Sequence, residues 1–379
     1  MSRFAPVLPV LLGTALMATP AAQPPAAATP PPAATAEDTR LANYFRTYLE
    51  DEFKRHPVYA TQQGNHDHDD RMDDLSPAAR AKDAEIARWV LADVKKEIAF
   101  DKLSRTGQID YEIFTHSLDY SLWSVANDNR FEFDPRVYGE FISDSVFLLF
   151  TQSTLPRERN VQNAAKRIAE IPKVVAAAKA GLKNPPKILT EITIRRNKGA
   201  IAFYEKDVWE FARETPGSEP LATPCRAAVA ALKDYQTWLE QDLLPRSAGE
   251  WRLGAEKFAR KLALELDAGL TAAEVLALAE AEADRVEREM YYVAKQLWAK
   301  LFPGRPVPPD DPAGRRDTTA HVLGELGKDH GKPEDLLADV RKTVDGIRTF
   351  IREKKILTLP DPDTCKIVEM PEFQRGFSA

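Results

Sequence analysis

The stretch TAAEVLALAEAEADRVEREMYYVAKQLWAKLFPG, residues 271–304, decides the fold class. Thr271 and Glu274 stand three apart ahead of an apolar run. That is the signature of a capping box, in which the threonine accepts from the third amide and the glutamate reaches back to the cap. Val275, Leu278, Val286, Met290, Val293, Leu297 and Leu301 then recur at helical spacing until Pro303-Gly304 stops the run. The spacing predicts one long helix over about 272–302, about 45 Å in length.

The same period recurs on either side. In TRLANYFRTYLEDEF, Leu41, Tyr44, Phe45, Tyr48, Leu49 and Phe53 form one stripe, limited by Pro57. Ile86, Trp89, Val90, Val94 and Ile98 form a second; Phe114, Leu118, Leu122 and Val125 form a third. Residues 137–155 are aromatic and apolar with few charges, which predicts burial. Asn160 reads as the cap of a helix through Leu182, with Pro172 as a kink. Further helices are predicted from Leu189 to about Glu214, from Cys225 to Leu244, over Thr318–Leu326, and from Pro333 to Lys355. The tail after Lys355 reads as loop with at most a minor strand. With no βαβ alternation and no repeat of 30 to 45 residues, the expected fold is all-α: an elongated multi-helix body with one long helix.

The chain has 379 residues, and its ends differ in kind. Arg3 is the only charge before Glu37, and a short apolar run and then small residues follow it. Residues 1–22 read as a secretory signal peptide, residues 23–36 as an Ala/Pro-rich linker and residues 37–379 as the helical domain. The expected location is periplasmic or extracellular. The leader holds no cysteine, which excludes a lipid anchor there, and no later segment has the run of about 18 apolar residues that spans a bilayer. Net charge is −6. A mildly acidic surface argues against general nucleic-acid binding. The two cysteines, Cys225 and Cys365, permit either one bridge or two free thiols in an oxidising compartment.

The densest ligand-like cluster is His66-Asp67-His68-Asp69-Asp70. Imidazoles and carboxylates are metal ligands, but neighbours in sequence cannot all converge on one ion, and the expectation is a solvated acidic loop. His116 with Glu112 and His321 with Glu325 have the spacing of exposed helical pairs. His56 lies at a helix end, where it is expected to meet a terminal carbonyl, and His330 lies in a loop. Arg195, Arg196 and Lys198 form a basic knot able to clamp a carboxylate or to pair with acids on neighbouring helices. Glu280, Glu282 and Glu287 share a charged face of the long helix. No HExxH, GxSxG, Walker or GxGxxG motif is present.

Four stretches, taken in order, resemble the bacterial domain of unknown function 885 family (DUF885). HPVYATQQGNHDHDDRMDDLS resembles its opening helix and loop, and PPKILTEITIRRNKGAIAFYEKDVWEF its central helix pair. LGAEKFARKLALELDAGLTAAEVLALAEAEADRVEREM resembles its most recognisable block, and VEMPEFQRGFSA the lead into its catalytic half. The resemblance implies a mostly helical protein related to zinc-dependent peptidases. In that family an HExxPGH motif supplies two zinc-binding histidines and a general-base glutamate, and peptides are the implied partners. The motif is not in this sequence, so the resemblance assigns no catalytic, cofactor-binding or metal residue to it. On this reading zinc is expected only if a catalytic half follows Ala379, and the chain is the N-terminal portion of a longer exported protein. The alternatives are a shortened, non-catalytic relative, or a non-enzymatic helical binding or scaffold protein of the cell envelope.

Overall fold

A computed structural model describes residues 34–213, 215, 218–363 and 365–375. The leader expected over 1–22 lies outside the described residues, as does the linker up to residue 33. The first helix begins at the linker's end: α1 (Ala36–Arg55) carries a capping box between Thr35 and Asp38. Pro57 ends α1 and opens the short α2 (Pro57–Gln62). After the polar loop come α3 (Pro77–Glu97) and α4 (Arg105–Asn127), each with a serine cap, Ser76 and Ser104. Leu41, Val94, Ile98 and Leu103 form a small core where α1, α3 and α4 meet.

The main core follows. α5 (Arg130–Phe133) leads to α6 (Arg136–Gly139), which runs through a π-helical turn, Glu140–Asp144, into α7 (Ser145–Thr151). α8 (Arg157–Gly181) continues through Pro172. α9 (Lys187–Ala202) passes through a second π-turn, Phe203–Asp207, into α10 (Val208–Ala212). α11 (Ala222–Trp238) passes through a third, Leu239–Leu243, into α12 (Leu244–Arg246). Ile168, Ile171, Val175 and Ala178 of α8 share the core with Ala228, Leu232 and Tyr235 of α11. A π-turn adds a residue per turn and re-aims the side chains after it. Two of these turns are tied together, the Tyr204 hydroxyl donating to the Ile142 carbonyl.

α13 (Ala255–Leu266) lies against α4. An arm then follows: α14 (Ala272–Leu301), α15 (Pro312–Leu326) and α16 (Leu336–Lys354). Its own core is small, with Ala294, Trp298 and Val322 joined by Leu297, Leu301 and Phe302. A last turn, α17 (Glu372–Arg375), returns to the body and inserts Phe373 against Phe203 and Phe147. It seats on α9 at Gly199, where an added Cβ would lie 2.7 Å from the Phe373 Cα, closer than non-bonded atoms approach.

The all-α reading stands, and the described residues hold helices and no strand. Where strand was allowed near the C-terminus, the chain is loop with the single turn α17. The long helix keeps the predicted bounds and its capping box. Three local expectations are corrected. Asn160 does not cap α8, which starts three residues earlier at Arg157; it is buried and bonds Ser153 and the Leu155 carbonyl. The helix expected from Thr318 starts at Pro312, capped by Asp311. The apolar stripe of α14 is only in part its packed face: Leu297 and Leu301 join buried Tyr291, Ala294 and Trp298, whereas Leu278 is 60% and Val293 57% exposed.

Candidate functional site

The loop after α2 is not a solvated acidic segment. Asp69 and Asp73 are buried, because the loop wraps onto Arg167, a wholly buried residue of α8. Arg167 donates to the carbonyls of Arg71 (2.9 Å), Ser145 (2.8 Å) and Pro57 (3.2 Å) and to the Thr61 hydroxyl (2.6 Å). Thr61 passes the bond on to Asp69 at 2.6 Å, and Asp69 holds His66 Nδ1 at 2.9 Å. Burial pulls the Arg167 guanidinium down to about 10, opposed by the charges of Asp69, Asp73 and Asp70. It remains a cation at neutral pH, and the cluster that looked most like a metal site is a structural staple.

The other histidines also have partners that the sequence spacing did not indicate. His116 does not pair with Glu112; its Nε2 meets the Leu264 carbonyl at 2.7 Å and ties α4 to α13. Glu112 instead faces Arg105. His321 pairs with Asp317 one turn back, not with Glu325, and lies edge-on to Trp298. His330 bonds within its loop. The Arg195–Lys198 knot diverges. Arg195 is exposed, Lys198 faces Glu240 at 3.8 Å, and Arg196 turns inward to Asp144 at 4.0 Å. Burial raises the Asp144 carboxyl, countered by the Gln374 hydrogen bond and by Arg196. Among the three glutamates of α14, Glu282 pairs with Arg285.

His56 does not cap a carbonyl but sits among carboxylates. Its Nδ1 lies 3.2 Å from Asp73, and its Nε2 lies 3.6 Å from Asp83 and 3.8 Å from Glu52. Burial alone would lower its pKa, yet the hydrogen bonds to Asp73 and Asp83 and the charge of Glu52 raise it to about 10. His56 is therefore an imidazolium at neutral pH, unsuited to act as a general base or a metal ligand. Arg55 completes the group, pairing with Glu52 at 2.5 Å and Asp83 at 2.7 Å.

This charged group forms one wall of a cavity of about 550 Å3 between α1, α3, α4 and α5, a volume suited to a small ligand. The opposite side offers Ser117, Ser121 and Asn129, with Leu118, Val125 and Phe131 as the apolar surface. Arg80 of α3 enters from below, its guanidinium carbon 4.7 Å from the Phe131 ring centroid. Nothing in the sequence singled out Arg80. Arg167, by contrast, left a trace: it stands three residues after Ala164 and four before Ile171, inside the apolar stripe of α8.

The described residues do not fit a zinc ion: no three His, Cys, Asp or Glu side chains among them are placed to hold a metal. No catalytic step can be drawn through zinc on these residues. The cysteines are not bridged. Cys225 is buried in the main core on α11, and Cys365 is exposed in the loop after α16. No described helix is long and apolar enough to cross a membrane.

Residues 57–379 match the sequence profile of a family described as bacterial protein of unknown function, DUF885. No match is found among curated protein sequences. A solved structure from Shewanella oneidensis, described as that of a candidate lipoprotein of unknown function, superposes with a TM-score of 0.65 at 23% identity. The likeness covers 85% of this chain and 59% of that one, so the chain spans less than two thirds of its structural neighbour's length. At that identity the likeness is one of fold.

Proposed function

The chain belongs to the DUF885 family, and we propose that it is the exported, non-catalytic helical body of a peptidase-like protein, docking a separate zinc-bearing half through its α14–α16 arm. One observation carries this reading. The arm buries little more than Tyr291, Ala294, Trp298 and Val322, while whole apolar seams lie open. On α14, Leu276, Ala279, Ala283, Val286, Met290 and Val293 alternate by three and four residues, the repeat of a helix that packs along another helix. On α16, Leu336 is 64% exposed, and Ile347 and Phe350 are each 51% exposed. Contiguous apolar surface on this scale marks an interaction site. The extra length of the structural neighbour supports an occupant of domain size. The leader-like residues 1–22 support export.

The test compares the protein isolated from its native exported fraction with the 379-residue chain made alone. In the native material the reading expects the zinc-bearing half on the same or a co-purifying polypeptide, with about one zinc and peptide hydrolysis. The chain alone is expected to self-associate and to have neither. A native protein that is only this chain, monomeric and free of any partner, overturns the proposal and favours a self-sufficient helical binding protein.

A further inference from the structure

We propose that the cavity between α1, α3, α4 and α5 is a binding site for a small carboxylate that carries an apolar body, anchored by Arg80. The charges that line the cavity are paired, with one exception. Glu52 is paired with Arg55, and Asp83 with Arg55 and His56. Glu132 is paired with Lys183 at 2.8 Å. Among the described residues lining the cavity, Arg80 is the one charged side chain that has no ion pair and makes no hydrogen bond. Its Nε is buried and unpartnered.

The cost falls on Nε, while the terminal nitrogens, neither buried nor bonded, stay open to a ligand. A buried polar atom with no partner forfeits its bond to water and gains nothing in return, and a guanidinium is the group least able to escape by losing its proton. Structural arginines resolve this as Arg167 does, with four bonds to carbonyls and a hydroxyl. Arg80 instead has a cation–π contact, its guanidinium carbon 4.7 Å from the Phe131 ring centroid. The two terminal nitrogens of a guanidinium can each donate to one oxygen of a carboxylate, giving two parallel bonds.

The rest of the cavity defines the ligand further. The lining carboxylates Glu52 and Asp83 are each ion-paired, with Arg55 and with Arg55 and His56, so neither faces an incoming anion as a free charge. Leu118, Val125 and Phe131 offer an apolar bed, and Ser117, Ser121 and Asn129 can bond an amide or hydroxyl. Two sources share this chemistry: the C-terminus of a short peptide and a free organic acid. The site needs neither zinc nor a second half, so it stands apart from the function proposed above.

Calorimetric titration of the chain tests it with three probes: N-acetyl-Ala-Phe, its C-terminal amide, and 3-phenylpropionate. The expected result is binding of at least one acid, and at least about tenfold weaker binding of the amide, the loss of one charge-assisted contact. Arg80→Gln should abolish the preference for acid over amide, and Arg80→Lys should keep part of it. Binding of both acids assigns the site to carboxylates at large; binding of the peptide acid alone assigns it to peptide termini. Ala87→Trp, which fills the cavity without touching a charge, should block the acids while leaving the thermal melt of the chain intact. Equal binding of acid and amide, unchanged binding by Arg80→Gln, or no binding of either acid at about 10 mM, a concentration that detects even millimolar affinity, overturns the proposal.

Discussion

Replacing Arg167 by methionine should be among the most damaging single changes in the body. The methionine fills much of the space, so cavity formation is minor. The loss is polar: three backbone carbonyls and Thr61 lose their donor, and buried Asp69 loses the nearby guanidinium charge and keeps only Thr61 and His66. Breaking a buried charge pair from one side costs ~3–5 kcal/mol, and each orphaned carbonyl adds ~1 kcal/mol or more. A cost of about 6 kcal/mol or more is a large share of the 5–15 kcal/mol that holds an ordinary domain together. Because Arg167 joins α8 to the loop after α2, that loop should become the first segment to exchange its amides.

A double-mutant cycle separates charge from packing. Asp69→Asn removes the stranded carboxylate, so Arg167→Met/Asp69→Asn should cost about 1–3 kcal/mol less than the sum of the two single changes. Thr61→Val breaks the hydroxyl relay at nearly constant shape and should cost ~1–2 kcal/mol. Urea unfolding followed by circular dichroism reads all four chains. A cost below about 1 kcal/mol for Arg167→Met, or strict additivity within the ~0.5 kcal/mol expected of independent sites, refutes the account of the loop as a charge-stapled element.

Three further outcomes follow from particular residues. His56 has its pKa raised from 6.5 to about 10, so the stability it contributes is fully present below pH 6.5 and is lost as pH rises toward 10; the amount is on the order of a few kcal/mol. Urea midpoints between pH 6 and 10 should fall for the native sequence and fall less for His56→Gln, and parallel profiles would contradict the carboxylate box. Of the two thiols, Cys365 should react with a disulfide reagent in the folded protein and Cys225 only after unfolding, since burial pushes the Cys225 thiol up to about 12; a bridged, unreactive pair in the oxidised protein would show the pairing wrong. Val286→Lys with Val293→Lys, both on the open seam of α14, should leave the melt within about 0.5 kcal/mol and reduce self-association seen by light scattering. A large loss of stability instead would mean that this face is packed within the chain.

How far the sequence could be read depends on the range of the contact in question. Helix existence is local, and the caps Thr271–Glu274 and the stripes of α1, α3, α8 and α14 announced it. Which stripe meets which partner is not local. The period of α14 records that one face is apolar, but it does not say whether α15 or something outside the described residues covers that face, and here α15 took Tyr291, Ala294 and Trp298 with only Leu297 and Leu301 of the stripe. His116 failed for the same reason: it finds its acceptor at Leu264, 148 residues away, while the residue one turn back only looked like a partner. Arg167 was legible in principle, as a charge inside an apolar stripe, whereas Arg80 was not, since an arginine on a mixed helix face is ordinary.

The two features that remain unsatisfied therefore carry the most functional information, and they are of different kinds. The seam of α14 and α16 leaves apolar area in water, a deficit that only a surface as long as the helices can remove. Arg80 leaves one cation without an anion, a deficit that two oxygen atoms can remove. The first calls for a protein-sized partner and the second for a small molecule or a chain end. Filling one gives no physical reason for the other to change, so the arm and the cavity can be tested separately in the same chain.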